Sequence, residues 1–461
     1  MASLSNTDVH NALIPRDDRG FSWRGASLMS ASGLALWLAC TPVSAQSLQA
    51  LFEAARGYDA TYRGALAQFE ADQARAEQAK AGIRPTVGLN GGVNWTQTDS
   101  SAAGQDRTTN SQSVALAASQ PLFRPANQAT LAQAERSRAV AQARLSAAEQ
   151  DLLVRTAQAY FDVLAAQDNL AFVKAQKTAV VQQLAAAQRN FEVGTATITD
   201  TREAQARFDL VTAQELAVEN DLRVKKLALD QLVGQPDTRP WRLAAGATLP
   251  NVVPDQIDAW VAKAESAHPS IQQARAAVDI AQLEIRKAEA ATGPTLDAVA
   301  QVQLSRGPTQ SSPVSYVRNQ NASVGVQFNW PLYTGGAVRN RIAEAIALET
   351  RAQSDLDAAR RAIAQATRSA FFGVQSGMGQ VKALEAAESS SQSALDANQL
   401  GYQVGVRINI DVLNAQSQLF QTKASLAKAR YDVLVGHLRL KQASGVLQAT
   451  DLEPINRLLA P

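Results

Sequence analysis

Two of the 42 acidic residues hold places that a repeat dictates. Asp200 and Asp411 lie 211 residues apart, and the glycines six positions before them, Gly194 and Gly405, keep the same separation. The surrounding phrases match: Phe191-Glu192-Val193-Gly194 with Thr199-Asp200, and Tyr402-Gln403-Val404-Gly405 with Ile410-Asp411. A glycine after a helical run is a stop signal, and an acid just beyond it suits the first turn of a returning helix. The plain reading of each aspartate is therefore a cap. A symmetric assembly adds something else. One acid per tip becomes a ring, and a ring of like charge at a narrow opening selects ions by their sign. Tyr402 and Arg407 flank the second turn and carry groups able to bond the first.

Other chemistry finds no constellation. The three histidines are isolated: His10 near the N-terminus, His268 before Pro269, and His437 beside Arg439 and Lys441. That spacing offers neither a metal site nor a histidine-based triad, so no metal, cofactor or enzymatic activity is expected. Thr334-Gly335-Gly336 lacks the spacing and the lysine of a phosphate loop and reads as a strand-to-helix bend. With 44 basic against 42 acidic residues the net charge is +2, so no global field attracts nucleic acid. The pairs Lys225-Lys226 and Arg360-Arg361 sit among acids and glutamines, as solvated helix faces do.

The first 45 residues read as an export signal. Arg16, Arg19 and Arg24 form a basic start, Leu28 to Ala39 is apolar but too short to span a bilayer, and Val43-Ser44-Ala45 is a small-x-small cleavage site. Cys40 raises the rival of a lipid anchor, but Trp37 stands where such a site wants leucine. Cleavage after Ala45 leaves no cysteine, hence neither a disulfide nor a thiol site.

The elements that must position the tips come in two matching sets. Pro85 and Pro294, Ser113-Val114 and Ser323-Val324, and Pro121-Leu122 and Pro331-Leu332 keep nearly the separation of the two glycines. The chain is thus a tandem duplication, with a first repeat over 46–250 and a second over 251–461. Each repeat runs helix, two strands, very long helix, turn, helix. In the first, Leu48 to Gly82 keeps a helical period, and Val87, Leu89, Gly91, Val93 and Trp95 alternate with Gly88, Asn90, Gly92 and Asn94. Ser113 to Phe123 forms the next strand after a polar linker. In the second, Leu296 to Leu304 and Val324 to Leu332 alternate in the same way.

Strands with one apolar and one polar face, joined by polar loops and flanked by Trp95, Phe123, Trp330 and Tyr333, are what a transmembrane β-barrel requires. Four strands do not close a barrel, and open edges in lipid leave backbone groups unpaired at several kcal/mol each. A membrane-spanning form must therefore oligomerise, and three copies give twelve strands. The helical patterns at 127–191 and 338–404 are too long for a globule and point to coiled-coil packing, with Gly373, Gly377 and Gly379 as weak points in the second. Gln235 to Pro254 and the tail from Leu447 are expected to pack outside the main bundle. The fold class is α+β: four membrane strands plus long coiled-coil helices, a trimer forming a twelve-stranded β-barrel and an α-helical barrel.

Tyr402-Gln-Val-Gly-Val-Arg407-Ile-Asn-Ile-Asp411-Val-Leu, the run Leu426-Ala-Lys-Ala-Arg430-Tyr431-Asp, the first tip Asn190 to Asp200 and Pro331-Leu332-Tyr333 with Gly335-Gly336 together resemble the TolC family of trimeric outer-membrane export ducts. The resemblance spans the chain beyond the export signal and favours the secretion branch over the lipoprotein branch. It implies a barrel open to the outside, a tapering helical tunnel across the periplasm, and tips that close its inner end. It implies as partners two further copies, outer-membrane lipids, a periplasmic adaptor and an inner-membrane transporter of ABC or proton-driven type. By the same resemblance Asp411 lines the constriction, while Tyr402 and Arg407 bond Thr199 and Asp200 to hold it shut. Asn414 stands where a second constriction acid is usual, so one acidic ring and a weaker cation block are expected. The rival reading is a periplasmic coiled-coil adaptor or scaffold without a pore.

Overall fold

The computed structural model describes residues 46–99, 107–244, 246–309 and 312–460. The export signal read over 1–45 lies outside them.

The first set of elements is α1 (Leu48–Tyr58), α2 (Ala60–Ala79), β1 (Thr86–Thr98), β2 (Arg107–Phe123), α3 (Pro125–Glu192) and α4 (Ile198–Val233). After the two-residue strand β3 (Arg242–Leu243), the order recurs as α5 (Ile257–Ala267), α6 (Pro269–Ala290), β4 (Thr295–Thr309), β5 (Ser312–Asn329), α7 (Ala337–Gln403) and α8 (Asn409–Ala443). A short helix, α9 (Leu452–Asn456), and β6 (Leu459–Ala460) complete the described residues. At about 1.5 Å per residue, the 68 residues of α3 and the 67 of α7 each run about 100 Å.

One helix predicted as continuous is broken. The apolar period of Leu48 to Gly82 crosses Asp59, where the chain turns extended and α1 gives way to α2. Asp59 accepts a hydrogen bond from the Tyr62 N–H at 2.7 Å and pairs with the Arg155 guanidinium at 3.2 Å. Burial pushes its pKa up, but Arg155 and the Tyr62 N–H outweigh that and hold the carboxyl below its usual value.

β1, β2, β4 and β5 form one antiparallel sheet in that order, leaving β1 and β5 as its edges. The register pairs Leu89 with Leu116, Val114 with Leu304, and Ala300 with Val324, so one face carries an aliphatic band across all four strands. That face is open: Val324 is 89% exposed, Trp95 72% and Leu89 71%. Glycines, asparagines, glutamines and serines occupy the other. A bulge between Pro121 and Phe123 ends the ladder beside the junction to α3, where Arg124 donates to Asp297 Oδ1 at 2.7 Å.

The bulky core sits midway along α3. Leu152, Tyr160, Phe161 and Leu164 meet Phe52 of α1, Leu229 of α4 and Leu434 of α8, and Phe161 stacks on Tyr431 at 5.6 Å. Toward the tips the helices thin to heptad seams. Val173, Val180 and Ala187 face Ala204, Val211 and Val218, while Val412, Leu419, Leu426 and Val433 recur every seventh residue along α8. α7 runs unbroken through Gly373, Gly377 and Gly379. A Cβ on Gly377 would stand 3.0 Å from the Val433 methyl, so this glycine sets how closely α7 approaches α8.

The connector and tail pack on the bundle core. β3 pairs with β6, and Trp241, Leu243 and Leu249 lie against the same cluster as Leu452 and Ile455. Tyr160 donates its hydroxyl to the Trp241 carbonyl at 2.9 Å. α8 ends where Gly445 takes φ +70°, with space for a Cβ closed by the His268 backbone at 2.3 Å.

Candidate functional site

The two tips are built alike from backbone alone. α3 ends as Thr195 N–H and Ala196 N–H reach back to the Asn190 carbonyl at 2.8 and 3.1 Å. α7 ends as Val406 N–H and Arg407 N–H reach the Gly401 carbonyl at 2.8 and 3.0 Å. Gly194 and Gly405, at φ +79° and +80°, supply the left-handed residue this closure needs. A bend follows, and α4 and α8 return along the helices just completed.

The two aspartates then part ways. Both stand third in their returning helix, but the capping residue differs. Thr197 caps α4, and Asp200 completes a reciprocal box, accepting from the Thr197 N–H at 3.0 Å and the Thr197 hydroxyl at 2.8 Å. Asp200 is thus engaged as a cap. Ile408 caps α8 and has no hydroxyl, so Asp411 has no box to join. Its carboxylate instead faces Arg407 at 3.6 Å, one turn earlier, and is half-buried.

The tips are joined within the chain by amides. Tyr402 accepts a hydrogen bond at its hydroxyl from Asn190 Nδ2 at 3.1 Å. Asn409, 1% exposed, donates to the Asp200 backbone carbonyl at 3.5 Å and accepts from Gln183. Arg207 of α4 donates to Asn414 Oδ1 at 2.6 Å. Within one chain, then, Tyr402 meets Asn190, not Thr199 or Asp200, while Thr199 is exposed and Arg407, in the bend before α8, pairs with Asp411. Asn190, Asn409, Gln183 and Arg207 are the added members. Asn409 and Gln183 lie on buried helix faces, where an amide among apolar neighbours is the signal for a partner.

His268 and His437 lie apart from the tips. His268 Nδ1 accepts the Ser270 N–H at 3.1 Å as the cap of α6, and burial lowers its pKa. His437 is likewise lowered by burial.

The family model described as outer membrane efflux protein matches residues 51–235 and 260–446, covering both tips. The chain belongs to the TolC family of outer membrane efflux proteins. It is 31% identical over 430 residues to outer membrane protein TolC of Vibrio cholerae, covering 92% of this chain and 96% of that one. It is also 31% identical over 410 residues to the alkaline protease secretion protein AprF of Pseudomonas aeruginosa, covering 86% and 83%. The fold matches the solved outer membrane protein VceC of Vibrio cholerae with a TM-score of 0.73 at 22% identity, covering 86% of this chain and 96% of that one. As a member of this family the protein is an outer-membrane protein. No described helix is long and apolar enough to cross a membrane.

Proposed function

We propose that this chain is the outer-membrane duct of a tripartite export system, a passive channel formed by three copies and gated at the helix tips. The observation that carries the reading is the sheet. Its aliphatic face is open across all four strands, and its two edges, β1 and β5, lack strand partners among the described residues. In hydrocarbon both must be resolved together, which pairing β5 of one copy with β1 of the next achieves. A twelve-stranded closed barrel results, and the long helices of each copy continue it into the periplasm. A pore-free scaffold would leave that face and those edges in water.

At the tips, Asp411 forms the ring at the constriction, and Asn414 leaves it a single acidic layer. Tyr402 with Asn190 ties the two tips of one copy. Arg407 and Thr199, both exposed, are placed to bond between copies, which completes the lock. A periplasmic adaptor releases it and joins the duct to an inner-membrane transporter. The name of the Pseudomonas relative, a protease secretion protein, favours protein cargo.

The test is fractionation. The chain is expected in the outer membrane as a trimer that migrates faster on gels before boiling than its dissociated subunits predict. Recovery as a soluble periplasmic monomer would sink the proposal. Comparing secreted proteins and drug sensitivity between deletion and wild-type cells then separates protein cargo from small-molecule cargo.

A further inference from the structure

On the apolar face of the sheet, one position breaks the pattern with charge. Following β4 away from the helices, the outward series is Leu296, Ala298, Ala300, Val302, Leu304 and then Arg306. Its cross-strand partner on β5 is Arg318. Directly opposed residues share a face, so two guanidinium groups stand side by side on the aliphatic surface. Like charges in that arrangement repel. Neither is relieved by a carboxylate: among the described residues no ion pair reaches Arg306 or Arg318.

The height of the pair is informative. Ten positions from Leu296 to Arg306, at about 3.3 Å each and a tilt of about 40°, rise about 25 Å. That is about the height of the apolar band of an outer-membrane barrel, so the arginines come at its outer edge. Beside them lies a pocket of about 200 Å³ lined by Asn110, Gln112, Arg306 and Tyr316. The Arg306 guanidinium lies 5.8 Å over the Tyr316 ring, and the Tyr316 hydroxyl accepts the Asn110 N–H at 3.4 Å. The Asn110 side-chain oxygen is buried there with no hydrogen-bond partner.

The duplication supplies an internal comparison. The first-repeat counterparts of Arg306 and Arg318 are Gln97 and Thr108, which also pair directly across β1 and β2. The same place in the same hairpin is neutral in one repeat and doubly cationic in the other. Sheet geometry therefore does not call for the charge.

We infer that Arg306 and Arg318, with Tyr316 and the Asn110–Gln112 pocket, form a binding site for the phosphate groups of anionic lipid headgroups in the outer leaflet. Two planar guanidinium groups at the lipid boundary match phosphate in charge and fork geometry, and the phosphate relieves their repulsion. Tyr316 stands at the boundary as amphipathic aromatics do. Each copy carries one such site, so a trimer anchors up to three phosphorylated lipids around its outer rim.

The inference rests on the barrel proposed above, and the experiment separates the two. Trimers purified in mild detergent are titrated with lipid A, a bisphosphorylated glycolipid, and followed by native mass spectrometry. Phosphatidylethanolamine serves as the zwitterionic control and inorganic phosphate as the free anion. Up to three lipid A adducts are expected, with affinity about tenfold lower for R306Q/R318Q and partly retained in R306K/R318K, which keeps the charge and loses the fork. Q97A/T108A is expected to bind as the unaltered protein does. Equal lipid A binding by R306Q/R318Q overturns the site, as does competition by inorganic phosphate at the lipid's own concentration. A normal trimer that takes up no lipid A overturns this inference alone. A chain that forms no membrane trimer overturns both.

Discussion

Tyr402→Phe combined with Arg407→Ser is expected to raise single-channel conductance in planar bilayers severalfold and to convert brief openings into a sustained open level. The argument is one of populations. A hydrogen bond such as that from Asn190 to the Tyr402 hydroxyl is worth about 0.5–1.5 kcal/mol net, and exposed pairs of the Arg407 kind add about 0.3–0.5 kcal/mol. Three copies multiply these to about 2–6 kcal/mol. Moving a two-state equilibrium from 1:99 to 99:1 takes about 5.5 kcal/mol. The tip bonds of a trimer are therefore of the size needed to decide whether it is shut, and neither bond of one copy alone is. Single substitutions should shift the gate part-way. Because Tyr402 bonds Asn190 in the same chain, Asn190→Ala should match Tyr402→Phe closely and add little to it. Thr199→Ala should instead resemble Arg407→Ser. Unchanged conductance in the double variant would remove the lock from these residues, and full additivity of Asn190→Ala with Tyr402→Phe would break their pairing.

Much of this arrangement was legible in the residues, and what was not has physical reasons. Alternation exposed the strands because one face must be apolar, and Phe123 stands at the end predicted for it. The start of β2 at Arg107 escaped because Thr108 to Gln112 is polar on both faces, beyond the apolar band. The break at Asp59 escaped because Phe52, Ala55 and Tyr62 keep a helical period across a turn that costs only one residue. The connector and tail carry short, irregular apolar runs, and no period says what they cover. At the tips the repeat sets the two aspartates on an equal footing, although Thr197-Ile-Thr-Asp200 already spells a capping box and Ile408-Asn-Ile-Asp411 does not. The hydroxyl at 197 is what separates a cap from a free carboxylate. Contacts such as Asn190 with Tyr402 depend on how two hairpins lie side by side, which local pattern does not encode.

That separation makes the second large expectation specific. Asp411→Ala should weaken block of the channel by multivalent cations about a hundredfold, whereas Asp200→Ala, by removing a cap, should leave block nearly intact and lower stability by about 1 kcal/mol. Three carboxylates about 4 Å from a bound cation sum to about 3 kcal/mol for each unit of its charge even at the dielectric of water, so about a hundredfold is the floor for a multivalent blocker. Arg407 lies 3.6 Å from Asp411 and partly offsets that charge, so Arg407→Ser should tighten block while it loosens the lock. Conductance and affinity for the blocking cation thus rise together for one substitution, whereas general loosening of the tip would raise conductance and weaken block. Asn414→Asp restores a second acid but places it 2.6 Å or so from Arg207, which already donates to that side chain. Its gain in block should be small unless Arg207→Gln accompanies it, and then large. Titrating a trivalent cation against each of these five variants in planar bilayers measures the effects. Block retained in full by Asp411→Ala would show that the ring lies elsewhere.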